Sequence, residues 1–323
     1  MKPTVLIPEL IAPPGLELLE RECDVIAPWK DGATDTESDS RALLPQADAV
    51  VVRLFRVDEA DLARSERLKI ISKHGVGLDN IDLEAAARRK VAVATTLTAN
   101  SNAVAEQTLA LMFALARHTP AAFEAAKAGL FAERHRFVGQ ELQGRTLGIV
   151  GVGRIGSRVA TKAALGLGME VRAYDPPLDK STYDGPAVFE DSLATLLAKS
   201  DILTLHVPLT DETRYMINAE TLALMQPGAL LINTCRGGVV DGVALVAALD
   251  SGALRGAALD VFEEEPLPAD HPFCRTPGLL ITPHVSAATE ESYQLMSVQA
   301  AEAVLDVLGG RVPEGIVDPA ALE

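Results

Sequence analysis

Cysteine is scarce in this chain of 323 residues: Cys23, Cys235 and Cys274 are odd in number and lie far apart. A disulfide framework is therefore excluded, and none of the three has metal-ligand spacing. Basic residues are short too, with 29 Lys and Arg against 45 Asp and Glu and a formal net charge of −16. A nucleic-acid partner would need a concentrated basic face, so none is expected. Long apolar runs are missing; the most apolar helical stretch, 103–116, carries Glu106 and Gln107, so no membrane partner is expected either. The first eight residues carry a single charge, Lys2, before an apolar core too short for a secretory signal. Together with the few cysteines this points to a reducing cytoplasm. Repeats and low-complexity tracts are absent. His74, His206, His271 and His284 lack ligand spacing, so no metal is expected. His118 and His135 have no evident partner.

What is present suits a soluble globular protein of about two domains: 48% hydrophobic and 23% charged residues over this length. Strand-like runs at 4–7, 24–27, 49–54, 68–72 and 91–95 alternate with helical runs at 16–21, 41–44, 59–65 and 83–89, the last capped by Asp82. Such alternation implies parallel βαβ units. The acidic segment 31–39 reads as a solvated loop. Asn100, Ser101 and Asn102 precede a long helix over 103–117, which Thr119-Pro120 should stop. Alternation resumes with strands at 147–150, 169–174, 202–206, 229–233, 256–260 and 279–282. An amphipathic helix over 290–308 follows, with Tyr293, Met296, Ala300, Val304 and Val307 on one face. The expected class is α/β, with two doubly wound parallel-sheet domains.

The strongest motif is Gly151-x-Gly153-x-x-Gly156, between the apolar run 147–150 and a helical pattern. Gly151 would permit the tight turn, Gly153 the approach of a pyrophosphate, and Gly156 close helix–strand packing. The helix start offers unpaired N–H groups to the phosphates. The next strand delivers Asp175, placed to accept hydrogen bonds from an adenosine ribose. That carboxylate would repel a 2′-phosphate, and Pro176-Pro177 supplies no arginine to receive one, so the expected cofactor is NAD.

In an open α/β sheet ligands bind beyond the carboxyl ends of the strands. Three such ends lead to Arg236, to the run Glu263-Glu264-Glu265 and to His284. Arg236 can grip a carboxylate through a bidentate fork. His284 can give a proton to a carbonyl oxygen or take one from a hydroxyl, with Glu265 orienting it. A second anion site is suggested by the glycine-rich turn His74-Gly75-Val76-Gly77. His206 ends its strand beside the cofactor rather than serving as acid or base.

These motifs, with 74–82, 102–117, 205–208, 233–241 and 257–266, make the chain resemble the D-isomer-specific 2-hydroxyacid dehydrogenases, in their phosphoglycerate dehydrogenase-like branch. The resemblance implies a Rossmann NAD-binding domain, 101–289, inserted into a flavodoxin-like substrate domain made of 1–100 and 290–323. It implies hydride transfer between NAD and a small 2-hydroxy or 2-oxo acid, and a homodimer through the Rossmann domains. Catalysis would fall to Arg236, Glu265 and His284, with Val76 and Gly77 as backbone donors to the substrate. Cofactor contacts would come from Thr108, Gly151, Gly153, Arg154, Ile155, Gly156, Asp175, His206, Val207, Pro208, Thr234, Cys235 and Asp260. Val285-Ser286-Ala287 departs from the glycine that many members carry after the histidine. The sequence also stops at Glu323 without the regulatory domain of some phosphoglycerate dehydrogenases, so serine feedback through such a domain is not expected.

Arg53, Arg56 and Lys73 near first-domain strand ends suggest a second anionic group on the substrate, as in phosphoglycerate or a sulfonated hydroxy acid. By resemblance, Arg134 and Arg136 would contribute from a dimer partner. Two alternatives stand beside this reading. Formate oxidation on the same fold usually goes with glutamine where Glu265 stands. A nucleotide-sensing corepressor or scaffold would bind NADH without turnover.

Overall fold

The computed structural model describes residues 2–31 and 36–317. Two compact units emerge, Met1–Asn100 with Ala288–Glu323, and Ser101–Ala287. No described helix is long and apolar enough to cross a membrane.

The first unit contains β1 (Thr4–Leu6), α1 (Pro13–Glu22), β2 (Asp24–Ile26), α2 (Thr36–Leu43), β3 (Ala49–Val52), α3 (Glu59–Ala63), β4 (Ile70–Lys73), α4 (Leu83–Arg88) and β5 (Ala92–Thr95). All strand pairs are parallel, in the order β2-β1-β3-β4-β5, which is the flavodoxin-like order. β3, β4 and β5 are buried along their whole length, as strands covered on both faces must be. Asp58 and Asp61 close a reciprocal capping box on α3, and Asp82 accepts the Ala85 N–H to start α4. Residues 36–39 of the acidic segment form the first turn of α2 rather than a loop, and 32–35 lie outside the described residues. Their carboxylates suit a helix N-terminus, where Glu37 and Asp39 sit.

The second unit runs through α5 (Ser101–Ala116), α6 (Thr119–Lys127), β6 (Thr146–Val150), α7 (Arg154–Thr161), β7 (Glu170–Tyr174), β8 (Val188–Phe189), α8 (Leu193–Lys199), β9 (Ile202–Leu205), α9 (Ala219–Leu222), β10 (Ala229–Asn233), α10 (Gly242–Asp250), β11 (Leu254–Leu259) and β12 (Leu279–Ile281). Thr119-Pro120 starts a helix as well as ending one. His118 takes a left-handed turn (φ 51°), and Pro120 then fits the first turn of α6, where its missing N–H is harmless. The strand order is β12-β11-β10-β9-β6-β7-β8, all parallel, with its topological switch between β6 and β9. β8, two residues long, is too short to be read from hydrophobic pattern.

The register levels the strand ends. Val150 pairs with Tyr174 and Leu205, Leu205 with Asn233, Asn233 with Leu259, and Leu259 with Ile281. Residues 151, 175, 206, 234, 260 and 282 therefore leave the sheet along one edge.

The chain returns to the first unit through α11 (Glu290–Leu308), which crosses α1 at very short range. The Gly15 N–H donates to Ser297 Oγ at 3.3 Å, and a Cβ on Gly15 would lie 2.1 Å from the Ser297 carbonyl oxygen. Ser72 Oγ donates to the Ala300 carbonyl at 2.9 Å, tying α11 to β4. Gly15→Ala should therefore destabilise the protein by about 1–3 kcal/mol through overpacking, despite alanine's better helix propensity. Chemical denaturation would show the lowered midpoint, and an unchanged one would mean that α11 shifts freely.

Candidate active site

The glycine loop shows three different demands. Gly151 has φ +88°, and a Cβ there would meet the His206 carbonyl oxygen at 2.6 Å. A Cβ on Gly156 would lie 2.1 Å from the Gly151 carbonyl oxygen. Gly153 differs: its φ is −69° and its Cβ would meet no atom within 4 Å. Nothing in the chain requires glycine there, so the demand fits a group approaching from outside, as a pyrophosphate at the α7 N-terminus would. Arg154 is exposed at that terminus and Ile155 is half-buried against the core. Asp175 Oδ2 accepts the Val152 N–H at 2.7 Å, fastening the end of β7 to the loop.

Farther along the edge, Thr108 of α5 donates to the Val104 carbonyl (2.8 Å) and lies 3.1 Å from Thr234 Oγ1. His206 Nε2 lies 3.0 Å from Thr204 Oγ1, and Nδ1 is buried without a partner among the described residues. Burial pushes its pKa down to about 3, so the ring is neutral. Val207 and Pro208 continue from it, the proline exposed. Burial pushes the Cys235 thiol up to about 11, and Sγ donates to Asn233 Oδ1 at 3.1 Å. These residues fit the walls of a dinucleotide site.

Arg236, Glu265 and His284 are gathered at the other end. His284 Nδ1 lies 2.7 Å from Glu265 Oε2, and Glu265 Oε1 accepts the Phe262 N–H at 2.9 Å. The Glu265 hydrogen bond raises the His284 pKa above its ordinary value; the Glu265 and Asp260 charges add to this, while burial and Arg236 oppose it. Burial alone would raise Glu265, but hydrogen bonds from His284 and the Phe262 N–H outweigh it and leave the carboxyl lowered. Arg236 Nη1 donates to the Cys235 carbonyl at 2.6 Å, and Asn233 Nδ2 donates to the Arg236 carbonyl at 2.8 Å. A Cβ on Gly237 would lie 2.0–2.4 Å from the backbone of Phe262 and Glu263, so the Arg236 and Glu265 turns are in direct contact.

The family resemblance puts Asp260 at the cofactor, yet its carboxylate is fully buried and holds the histidine turn. It accepts Thr282 Oγ1 (2.5 Å), the Val285 N–H (3.0 Å) and the Ser286 N–H (2.8 Å). His284 sits between these donors at φ 53°, a left-handed conformation uncommon outside glycine and asparagine. The sequence signal is an acid directly after the apolar strand Leu254–Leu259.

In the first unit, Gly75 (φ +137°) exchanges hydrogen bonds with Thr96 Oγ1, and the N–H groups of Val76 and Gly77 meet no acceptor among the described residues. Arg53 places its guanidinium over Tyr293 (5.3 Å) and donates to the Leu10 carbonyl (3.3 Å). Lys73, where the sequence suggests a cation for the substrate, is buried, and its ammonium donates to the Arg53 carbonyl and to Asn80 Oδ1 (2.6 Å). It pins two neighbouring turns. Glu9, which sequence reasoning passes over, accepts the N–H groups of Arg53, Leu54 and Phe55 at 2.7–3.0 Å. Of the cations assigned to a partner site, Arg134 stacks on Phe131 (5.6 Å) and Arg136 pairs with Glu133.

Asp260→Asn places an amide NH2 among three donors and should cost about 1–3 kcal/mol of stability for each donor left unpaired. It should also free His284 from Glu265, lowering the imidazole titration midpoint followed by NMR. An unchanged midpoint would show that the turn holds itself.

Residues 109–286 match the family described as D-isomer specific 2-hydroxyacid dehydrogenase, NAD binding domain. The chain is 42% identical to the (S)-sulfolactate dehydrogenase of Chromohalobacter salexigens, across 95% of this chain and 99% of that one. It is also 42% identical to the D-3-phosphoglycerate dehydrogenase of Methanocaldococcus jannaschii, across 85% of this chain but only 52% of that one; the chain spans about half the length of such relatives. Among solved structures, the TT0316 protein of Thermus thermophilus superposes with a TM-score of 0.87 at 37% identity, covering 98% of this chain and all of the other. The chain belongs to the D-isomer specific 2-hydroxyacid dehydrogenases, with their NAD binding domain at residues 109–286.

Proposed function

We propose that this protein is an NAD-dependent dehydrogenase interconverting a D-2-hydroxy acid and its 2-oxo acid. The observation that carries this reading is the His284–Glu265 pair at 2.7 Å, gathered with Arg236 on the sheet edge that bears the glycine loop. NAD, when bound, accepts or supplies the hydride. Arg236 fixes the substrate carboxylate through its fork. His284 shows Nδ1 to Glu265, so Nε2 carries the proton exchanged with the substrate oxygen. Glu265 stabilises the imidazolium and fixes the ring's orientation. In the first unit, the Val76 and Gly77 N–H groups are donors suited to a carboxylate. The gathered trio favours an enzyme over a corepressor or scaffold.

The sulfolactate and phosphoglycerate of the relatives' names each carry a second anionic group, and Arg53 supports such a group here, without Lys73. The first unit would be the substrate domain and the second the cofactor domain. Phe113, Phe123, Leu130, Phe131 and Val138 are exposed on α5, α6 and the segment after them, which supports a homodimer through the second unit. Three free cysteines suit the cytoplasm.

NADH consumption across a panel of 2-oxo acids, including phosphorylated and sulfonated ones, tests the reading; NADH binding with no turnover of any would overturn it. Because Glu265 raises His284, reduction should persist to pH above the ordinary imidazole value of about 6.5 and fall beyond it. Oxidation, which needs the neutral ring, should gain over the same range. Glu265→Gln should move both limbs to lower pH, and a profile unmoved by the substitution would remove Glu265 from this role. Arg236→Lys should cut kcat/KM for the acid by roughly tenfold or more while NADH affinity holds. Loss of NADH binding instead would place Arg236 at the cofactor. Asp175→Ala should erode discrimination between NAD and NADP, measured as a ratio of kcat/KM values.

A further inference from the structure

Tyr215 lies outside the catalytic trio and its backbone is strained. It is an aromatic residue at φ 49°, in the left-handed region that glycine or asparagine enters at little penalty. Backbone strain of this kind persists only where the surroundings hold it. The Tyr215 N–H donates to the Gly238 carbonyl at 2.9 Å, and Asn218 Nδ2 donates to the Tyr215 carbonyl at 3.0 Å. So held, the ring carries its hydroxyl to Glu263, donating to Oε1 at 2.5 Å. The Glu263 hydrogen bond raises the phenol pKa, so the group stays a donor. Arg214 reinforces the contact, with its guanidinium 5.9 Å from the Tyr215 ring centre and Nη1 3.9 Å from Glu263 Oε1.

Glu263 sits at a junction. Phe262 before it gives its N–H to Glu265 Oε1, and Glu265 two residues later holds His284. Gly237, beside Arg236, packs against the same Phe262–Glu263 peptide. The segment that carries Tyr215 is also sewn to the Arg236 turn: Ile217 N–H donates to the Val239 carbonyl (3.2 Å) and Asp241 N–H to the Ile217 carbonyl (2.8 Å). One short segment thus grips the Arg236 and Glu265 turns, two of the three that present the trio.

We propose that Tyr215 is a positioning residue: through Glu263 it fixes the turn that holds Glu265 against His284 and beside Arg236. The strain is the consequence of pointing a long, rigid donor at a loop that has no helix or strand of its own. This inference rests on the roles given above to Glu265 and His284. The charged groups around the imidazole are Glu265, Asp260 and Arg236, and only Glu265 rides on the tethered turn.

Tyr215→Phe removes one oxygen and keeps the ring, so folding should be intact. It should lower kcat for reduction of a 2-oxo acid by roughly threefold to tenfold, leave NADH affinity unchanged, and move the reduction pH limb downward. The His284 titration midpoint, read by NMR without any substrate, should fall in parallel. Glu263→Ala should reproduce the effect, and the double variant should be no worse than either single one. Glu263→Gln, which keeps an acceptor oxygen, should restore much of the loss. Additive losses, or an unmoved His284 midpoint in Tyr215→Phe, would overturn the proposal. If the wild-type protein reduces no 2-oxo acid, the functional reading fails, while the NMR titration still decides whether the tether positions the pair.

Discussion

The active-site arrangement depends on one buried carboxylate. Asp260 collects three donors from the segment 282–286, and in doing so bends the chain so that His284 leaves it in a left-handed conformation. Without those donors, a histidine at positive φ would relax toward extended backbone. A buried carboxylate without partners would be costly. Each solves the other's problem, and the outcome is an imidazole projecting from the sheet edge with its Nδ1 toward Glu265.

The same economy of position explains the opposite end of the edge. Asp175 uses one oxygen to fasten the glycine loop through the Val152 N–H. Gly151 and Gly156 are explained by contacts inside the chain, whereas Gly153 faces open space. That contrast separates the glycines that build the loop from one that no contact among the described residues requires. In-register parallel strands then bring the loop, Asp175, His206, Thr234, Asp260 and Thr282 to one level, although they lie far apart in sequence.

Much of this is legible in the sequence where local chemistry decides. Apolar runs ending in glycine or a polar residue locate β3 to β7 and β9 to β12 within a few residues, and Asp82 caps α4 as its position suggests. The trio at three strand ends follows from topology. What stays hidden depends on partners distant in sequence. Lys73 looks like a ligand because its charge is visible and its burial is not; Asn80 and the Arg53 carbonyl decide its role. Glu9 is 44 residues from the first amide that it caps. At Thr119-Pro120 the proline stops one helix and opens the next, so the helical stretch up to Gly129 begins directly after α5.

Charge in the first unit is likewise read through its partners. Three consecutive N–H groups at Arg53, Leu54 and Phe55 form a concave donor set of the kind that binds oxyanions. Here the chain's own Glu9 fills it. The turn is thereby rigid, and the Arg53 guanidinium is directed out over Tyr293 of α11. An arginine stacked on an aromatic face loses little further freedom when it meets an anion. With Lys73 buried, Arg53 is the member of that cluster held on an aromatic face of α11. A guanidinium held in that way meets an anion through a planar fork and not as a diffuse point charge.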